Sequence, residues 1–341
     1  MKIFASGNLS QRWLDRFREH FELDYYDWGS RGEFLPEDEF IQRLQGASIL
    51  ITEADEVTGT IMDSAPDLAL IIDCRAATVN VDVKAATERG IVVCNTPGRN
   101  ADAVADLTIA MMVMVLRKVW PGLKHLHDGT WHEWGFDRSY LWNRGHELPE
   151  KTVGLIGLGA VGRKVAYRLQ GFDVTLLGYD PFVSQADAAS LGIEMAGLDD
   201  LLIRSDIVSL HAPITPQTKG MIGRREFELM KPSAYFINTA RAVLVDEAAL
   251  IEALTNHRIA GAALDVFHQE PLPADYVLFT LPNVVALPHI GGATFEVTDH
   301  HSRIAYQTLM SFLDGKPVNV VNPEALASAQ ARLGTYRGSV S

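Results

Sequence analysis

Short apolar runs alternate with amphipathic stretches along most of this chain. In the first hundred residues the runs at 2–5, 23–26, 49–52, 69–74 and 91–96 read as strands. Segments 10–20, 36–45, 59–65 and 83–89 between them read as helices, the alternation expected of a parallel α/β sheet. Asn95-Thr96-Pro97-Gly98 is a strong break. Segment 101–119 (ADAVADLTIAMMVMVLRKV) is apolar on nearly every face, so it is expected as a helix buried all round, between two domains. Segment 129–149 holds Trp131, Trp134, Phe136, Tyr140 and Trp142 and reads as a long connection that serves a function or covers a partner. A second series of strands follows at 152–156, 175–179, 193–195, 207–211, 234–238, 261–266 and 284–287. The helix expected at 294–313 can pack back on the first domain and make it discontinuous. From 315 the chain reads as a short Ala/Ser-rich tail with no further domain.

Composition narrows the function. The 341 residues suffice for two domains, and 47% apolar with 21% charged residues is ordinary for a globular protein. A net charge of −13 gives no support to nucleic-acid or membrane-surface binding, and an anionic substrate would need local Arg or Lys to overcome that field. Cys74 and Cys94 end apolar runs and read as reduced core residues. The N-terminus shows no signal-peptide core, and the longest apolar run, 109–116, is too short to span a bilayer, so a cytoplasmic location is expected. His300 and His301 read as solvated helix residues.

The chemistry begins at Gly157-Leu158-Gly159-Ala160-Val161-Gly162, which follows a strand and opens a helix. Gly157 allows the tight turn, Gly159 lets the backbone approach a pyrophosphate, and Gly162 lets helix pack on strand. The helix N-terminus offers free N–H groups and a positive dipole end to phosphates. Asp180, 23 residues after Gly157, ends the next strand and can accept from ribose hydroxyls. No Arg follows it (Pro181, Phe182, Val183), which favours NAD over NADP. A glycine turn serving chain geometry alone would not need the acidic strand end.

Three more polar residues sit just past predicted strands: Arg241, Glu270 and His289. Ligands of open parallel sheets bind at that edge. Hydride delivery to the carbonyl of a carboxylated substrate builds negative charge on its oxygen and needs a cation and a proton. A guanidinium fork suits a carboxylate, and imidazole titrates nearest neutrality. Singly, each residue could be an ion-pair partner, a loop cap or a satisfied core histidine; three together beside a nucleotide motif favour catalysis. Neither zinc-type Cys/His spacing nor a Gly-x-Ser-x-Gly elbow is present, so no metal is expected.

The stretches NTPGRNADAVADLTIAMM, ELPEKTVGLIGLGAVGRKVA, SDIVSLHAPITPQTKGMI, FINTARAVLVDEAALIEAL, GAALDVFHQEPLP and LPHIGGAT together resemble the D-isomer-specific 2-hydroxyacid dehydrogenases, over about residues 45 to 320. The resemblance implies an α/β protein of two Rossmann-like or flavodoxin-like domains with parallel sheets and an active site in the interdomain cleft. Residues 1–100 plus 295–325 would form a substrate domain and 101–294 the NAD-binding domain. It implies that Arg241 binds the substrate carboxylate, that His289 gives and takes the proton and that Glu270 pairs with it. Cofactor contacts would fall on Thr96, Ala160, Val161, Asp180, Ala212, Thr239, Arg241, Asp265 and His289 besides the glycines. The family's glycine-containing turn after the fourth strand is absent: Arg75-Ala76-Ala77-Thr78-Val79-Asn80 is two residues shorter and glycine-free, so Arg75, Thr78 and Asn80 are candidate substrate contacts or a structural turn. The Trp-rich segment resembles the family's dimer-packing region, which implies a homodimer with Trp134 or Trp142 lining a substrate cleft. Ala242 and Asp106 stand where the family usually has Gly and Glu. The function implied is interconversion of a small D-2-hydroxy acid and its 2-keto acid. Two others stay open: a non-catalytic NAD(H)-sensing protein, or a phosphite- or formate-type dehydrogenase.

Overall fold

The computed structural model describes residues 1–333, which form two compact units, residues 1–99 with the chain from 294 onward, and residues 100–293.

In the first unit the strands β1 (Lys2–Ser6), β2 (Glu22–Tyr26), β3 (Ile49–Thr52), β4 (Leu70–Asp73) and β5 (Val92–Cys94) pair in the order β2-β1-β3-β4-β5, all parallel. Successive strand side chains point to opposite faces, so one sheet fills two cores. Ile3, Ala5, Ile49, Ile51, Leu70 and Ile72 pack with Leu14, Phe17, Ala305, Leu309 and Phe312. Their neighbours Phe4, Leu50, Ile71 and Val93 pack with Phe40, Leu44, Ile61 and Met62. Burying each such side chain contributes ~1.5–3 kcal/mol, which is why these runs show no polar alternation.

The helix Phe295–Leu313 therefore belongs to the first unit's core. The tail is less free than its composition suggests. Val320 bridges Cys94, and the Asn322 side chain accepts from Val93 N at 2.7 Å and donates to Ile91 O at 2.9 Å. Residues 334–341 of that tail lie outside the described residues. His301 corrects a sequence expectation: it is 1% exposed, not solvated. Its Nδ1 meets Arg99 Nη1 at 2.9 Å and its Nε2 meets Asn8 O at 2.7 Å. A ring that accepts from Arg99 and donates to a carbonyl is neutral, and burial pushes its pKa down.

In the second unit β6 (Thr152–Ile156), β7 (Thr175–Tyr179), β8 (Ile193–Met195), β9 (Ile207–Leu210), β10 (Tyr235–Asn238), β11 (Gly261–Leu264) and β12 (Val284–Ala286) run parallel in the order β12-β11-β10-β9-β6-β7-β8. The order reverses between β6 and β9, the switch point at which doubly wound sheets bind dinucleotides.

Two expectations for the segment before β6 need correction. The helix Ala101–Leu116 buries Val104, Ala105, Thr108, Met111, Met112 and Val115 along one side, while Asp106 is exposed and Asp102 pairs with Lys164 and Arg168. It ends because Lys118 takes a left-handed conformation, φ 51°, with no glycine to announce it. The Trp-rich stretch is largely a helix, Thr130–Trp142, broken at Gly135 (φ 72°, ψ 178°). Aromatics on several faces hid its period.

Candidate active site

At the end of β6 the chain turns at Gly157, whose φ of 95° few other residues tolerate; a Cβ there would lie 2.6 Å from Ala212 N. A Cβ on Gly162 would lie 2.1 Å from Gly157 O. Both glycines are thus required by the fold itself. Gly159 is different. Its backbone is extended (φ −74°), and no protein atom lies within 4 Å of the point a Cβ would occupy. The space beside it is what a closely approaching pyrophosphate would fill, in front of the helix Ala160–Leu169. Asp180 accepts from Leu158 N at 2.8 Å and Phe182 N at 2.9 Å, which fixes its carboxylate at the ribose end of this turn and leaves lone pairs for hydroxyls. The residues present fit a dinucleotide. Gly159→Val is expected to weaken NADH binding at least about tenfold with the melting temperature unchanged. Gly162→Ala is expected to lower the melting temperature, since overpacking costs ~1–3 kcal/mol. Fluorescence titration and thermal melts of both variants check the contrast.

On the other side of the switch point, β10, β11 and β12 are adjacent strands, and each delivers one predicted polar residue from its carboxyl end. After β10, the Asn238 side chain accepts from Ala240 N at 3.0 Å and donates to Arg241 O at 3.1 Å, shaping the turn that presents Arg241. The Arg241 guanidinium donates to Ala240 O at 2.7 Å, and the residue is otherwise exposed. Thr239 shares a 2.9 Å hydroxyl contact with Thr108. After β11, Glu270 Oε1 accepts from Phe267 N at 2.9 Å and Oε2 meets His289 Nδ1 at 2.6 Å. Partial burial acts to raise the Glu270 pKa, but the His289 hydrogen bond, the Phe267 N–H and the charges of His289 and Arg241 outweigh it and hold the carboxyl below its ordinary range.

After β12, His289 itself is left-handed, φ 55°. That conformation is held from below by Asp265, whose oxygens accept from Ile290 N at 2.9 Å and Gly291 N at 2.8 Å. A Cβ on Gly291 would lie 2.8 Å from Asp265 Oδ2, so that loop needs its glycine. Burial nevertheless pushes the Asp265 pKa up, against those two N–H groups. The structure thus brings Arg241, Glu270 and His289 to one sheet edge. It also shows two roles that sequence reading missed, Asn238 shaping the Arg241 turn and Asp265 bracing the His289 loop. An Asn at i with its turn at i+2 is the signal that could have found the first. His211, by contrast, has its pKa pushed down to about 4 by burial and meets Ser209 Oγ at 3.0 Å, so it is a neutral structural ring.

The first unit has its own polar edge at the carboxyl ends of its strands. Thr96 is fully buried, and its hydroxyl has no partner among the described residues. Arg75 and Thr78 are half-buried in the glycine-free turn. Asn80 is turned inward: its amide donates to Asp55 O at 3.1 Å and its Oδ1 is buried. Trp134 meets His125 edge to face and Trp142 meets it at a tilt, at 4.9 and 4.3 Å between ring centroids, so the three rings form an aromatic cluster within the second unit.

A doubly wound sheet with a glycine turn at its switch point and a guanidinium beside a carboxylate-backed imidazole defines a dinucleotide-dependent dehydrogenase. Comparison with known proteins agrees. Residues 109–291 match the family model for the NAD-binding domain of D-isomer-specific 2-hydroxyacid dehydrogenases. The chain is 44% identical over 299 residues to the putative 2-hydroxyacid dehydrogenase YoaD of Bacillus subtilis, covering 87% of this chain and 86% of that one. It is 35% identical to a glyoxylate reductase of Korarchaeum cryptofilum, covering 95% and 97%. Among solved structures, an NADPH-dependent glyoxylate/hydroxypyruvate reductase from Sinorhizobium meliloti, crystallised with citrate, superposes with a TM-score of 0.77 at 28% identity, covering 95% and 98%. The chain belongs to the D-isomer-specific 2-hydroxyacid dehydrogenase family. It is an NAD-dependent oxidoreductase acting on a CH–OH group. No helix among the described residues is long and apolar enough to cross a membrane.

Proposed function

We propose that this enzyme interconverts a small D-2-hydroxy acid and its 2-keto acid, with Arg241, His289 and Glu270 as the working side chains. The observation that carries the reading is the 2.6 Å His289–Glu270 contact, between residues that follow β12 and β11, at the sheet edge where β10 delivers Arg241. Bound NADH supplies the hydride. Arg241 offers a planar fork to the substrate carboxylate and a positive charge to the carbonyl oxygen as negative charge develops there. Glu270 holds His289 through Nδ1, which leaves Nε2 as the ring nitrogen that gives a proton in reduction and takes one in oxidation. Asp180 would accept from both ribose hydroxyls of NAD and repel a 2′-phosphate, so NAD is preferred to NADP. On the first unit we assign Arg75 and Thr78 to substrate recognition; Asn80 serves the turn instead. The names of the relatives, glyoxylate reductase and glyoxylate/hydroxypyruvate reductase, support a short 2-keto acid.

We also propose a homodimer. Trp120, Leu126, Trp131, Phe136, Tyr140 and Leu141, on the two helices Val119–His127 and Thr130–Trp142, are each at least half exposed. Apolar surface on that scale marks an interface. A sedimentation mass of one chain at micromolar concentration would contradict the dimer.

The function is tested by following NADH oxidation with glyoxylate, hydroxypyruvate, pyruvate, phosphohydroxypyruvate and longer sugar-derived keto acids. Rapid turnover of one or two short keto acids with a D-configured product is expected. Tight NADH binding with no turnover of any would favour a sensing role and overturn the proposal.

A further inference from the structure

Glu270 keeps its contact with His289 from within an irregular loop. Residues 268–271 of that loop are exposed, so packing does little to fix them. Among the described residues, three side-chain hydrogen bonds cross from the stretch 267–276 to other parts of the chain. One is the Glu270 contact with His289 itself. The other two stand on either side of Glu270 in sequence. His268 Nε2 meets Val245 O at 3.1 Å, and the Tyr276 hydroxyl donates to the Glu247 carboxylate. A carbonyl only accepts, so the His268 ring carries a proton on Nε2.

Both ties end on the stretch that follows Arg241, and that stretch is anchored in its own right. Leu244 O accepts from Ile222 N at 3.1 Å, and Asp246 N donates to Ile222 O at 2.9 Å. The Asp246 side chain caps the helix Glu247–Thr255 by accepting from Ala249 N at 3.0 Å. Leu250, Ala253 and Leu254 root that helix in the core. A cavity of about 20 Å³ is lined by Asn238, Ala242 and Val245 from the β10 side and by Phe267, His268 and Tyr276 from the loop. Packing between the two stretches is therefore incomplete, and the two hydrogen bonds set their separation.

We propose that His268 and Tyr276 are positioning residues that clasp this loop to the Arg241 stretch and so hold Glu270 against His289. The inference rests on the roles given above to Glu270 and His289. Neither residue bonds to Arg241 or His289 among the described residues; both act through the loop. The phenol bond is charge-assisted and so the stronger of the two. Burial first, and then the neighbouring Glu247, push the Tyr276 hydroxyl pKa up, so it stays a donor well above neutral pH. Because the Arg241 stretch has its own anchors, loss of a tie frees Glu270 and leaves Arg241 in place. His289 then meets its carboxylate in a smaller fraction of molecules, which lowers the rate of proton transfer more than it weakens substrate binding.

The test has one arm independent of turnover. The Phe267 amide donates to Glu270 Oε1 at 2.9 Å, so its hydrogen exchange reports where Glu270 sits. Exchange of that amide is expected to speed up about tenfold in Tyr276→Phe and in His268→Ala, while the amides of β10 and β11 keep their protection. In the kinetic arm, kcat for 2-keto acid reduction is expected to fall about tenfold in each variant at unchanged KM. His268→Gln, whose amide N–H offers the same donor, should recover most of the rate that His268→Ala loses. In a Glu270→Ala background, Tyr276→Phe should lower kcat less than about twofold, because no carboxylate remains to be placed. Unchanged Phe267 exchange in both variants would overturn the clasp. Faster exchange with wild-type kcat, or an equal kcat loss in the Glu270→Ala background, would overturn its positioning role. A Glu270→Ala enzyme that turns over like wild type would instead contradict the catalytic reading of that carboxylate, and the exchange arm would still decide the clasp.

Discussion

Replacing His289 with alanine is expected to lower the rate of 2-keto acid reduction by about 10²–10⁴-fold, the range typical of a lost general acid. NADH affinity should fall far less than the rate, because the glycine turn and Asp180 lie on the other half of the same sheet. The size of the loss follows from how the ring is held. Glu270 fixes Nδ1 at 2.6 Å, and Asp265 braces the backbone on which His289 sits, so the proton donor of the proposed mechanism would be preorganised before substrate arrives. The low pKa of Glu270 gives this loss a pH signature. A depressed carboxyl keeps its contribution above its unfolded pKa and loses it only as pH falls through the lower folded value. The His289–Glu270 pair should therefore survive acidification past the ordinary glutamate range near 4.3. Stopped-flow NADH oxidation by wild type and variant measures the loss. A variant within about threefold of wild type would take His289 out of the chemistry.

Substituting Arg241 by lysine is expected to reduce kcat/KM by about 10²–10³-fold, equivalent to ~2.7–4 kcal/mol of transition-state stabilisation. Lysine keeps the charge but presents a single point donor in place of a rigid fork. The native guanidinium is anchored by its bond to Ala240 O, and the turn beneath it is shaped by Asn238 on both sides. An ammonium would lack both the anchor and the second parallel hydrogen bond to a carboxylate. Arg241→Ala should lose more, with kcat and KM both affected, since the proposed mechanism has one side chain serve binding and charge development alike. Steady-state kinetics with the preferred keto acid checks the order of the three proteins.

Much of this architecture was legible in the residues because it depends on short-range physics. Parallel strands covered on both faces must be apolar throughout, and each such run became a strand within a residue or two of its expected ends. The glycine spacing with its acidic strand end signals one ligand geometry. Arg241, Glu270 and His289 were legible because each follows a strand, although their meeting at one edge depends on the order β12-β11-β10, which no local pattern reveals. What escaped was set by tertiary contact. Lys118 turns left-handed without glycine, so the helix expected over 101–119 ends at Leu116 and a separate one starts at Val119. Trp134 and Trp142 pack against His125, a contact that no local pattern announces. His301 looked solvated because its helix neighbours are polar, while Arg99 and Asn8, 202 and 293 residues away in sequence, enclose it.

The most direct measurement is the single-turnover rate of NADH oxidation by one short 2-keto acid, made side by side on wild type, His289→Ala and Arg241→Lys with cofactor binding monitored in the same mixtures. The expected result is NADH binding that is retained in all three and weakened far less than the rate, with the hydride step slowed by at least about a hundredfold in each variant at saturating NADH. Unimpaired hydride transfer in both variants would contradict the assignment of this sheet edge as the catalytic centre.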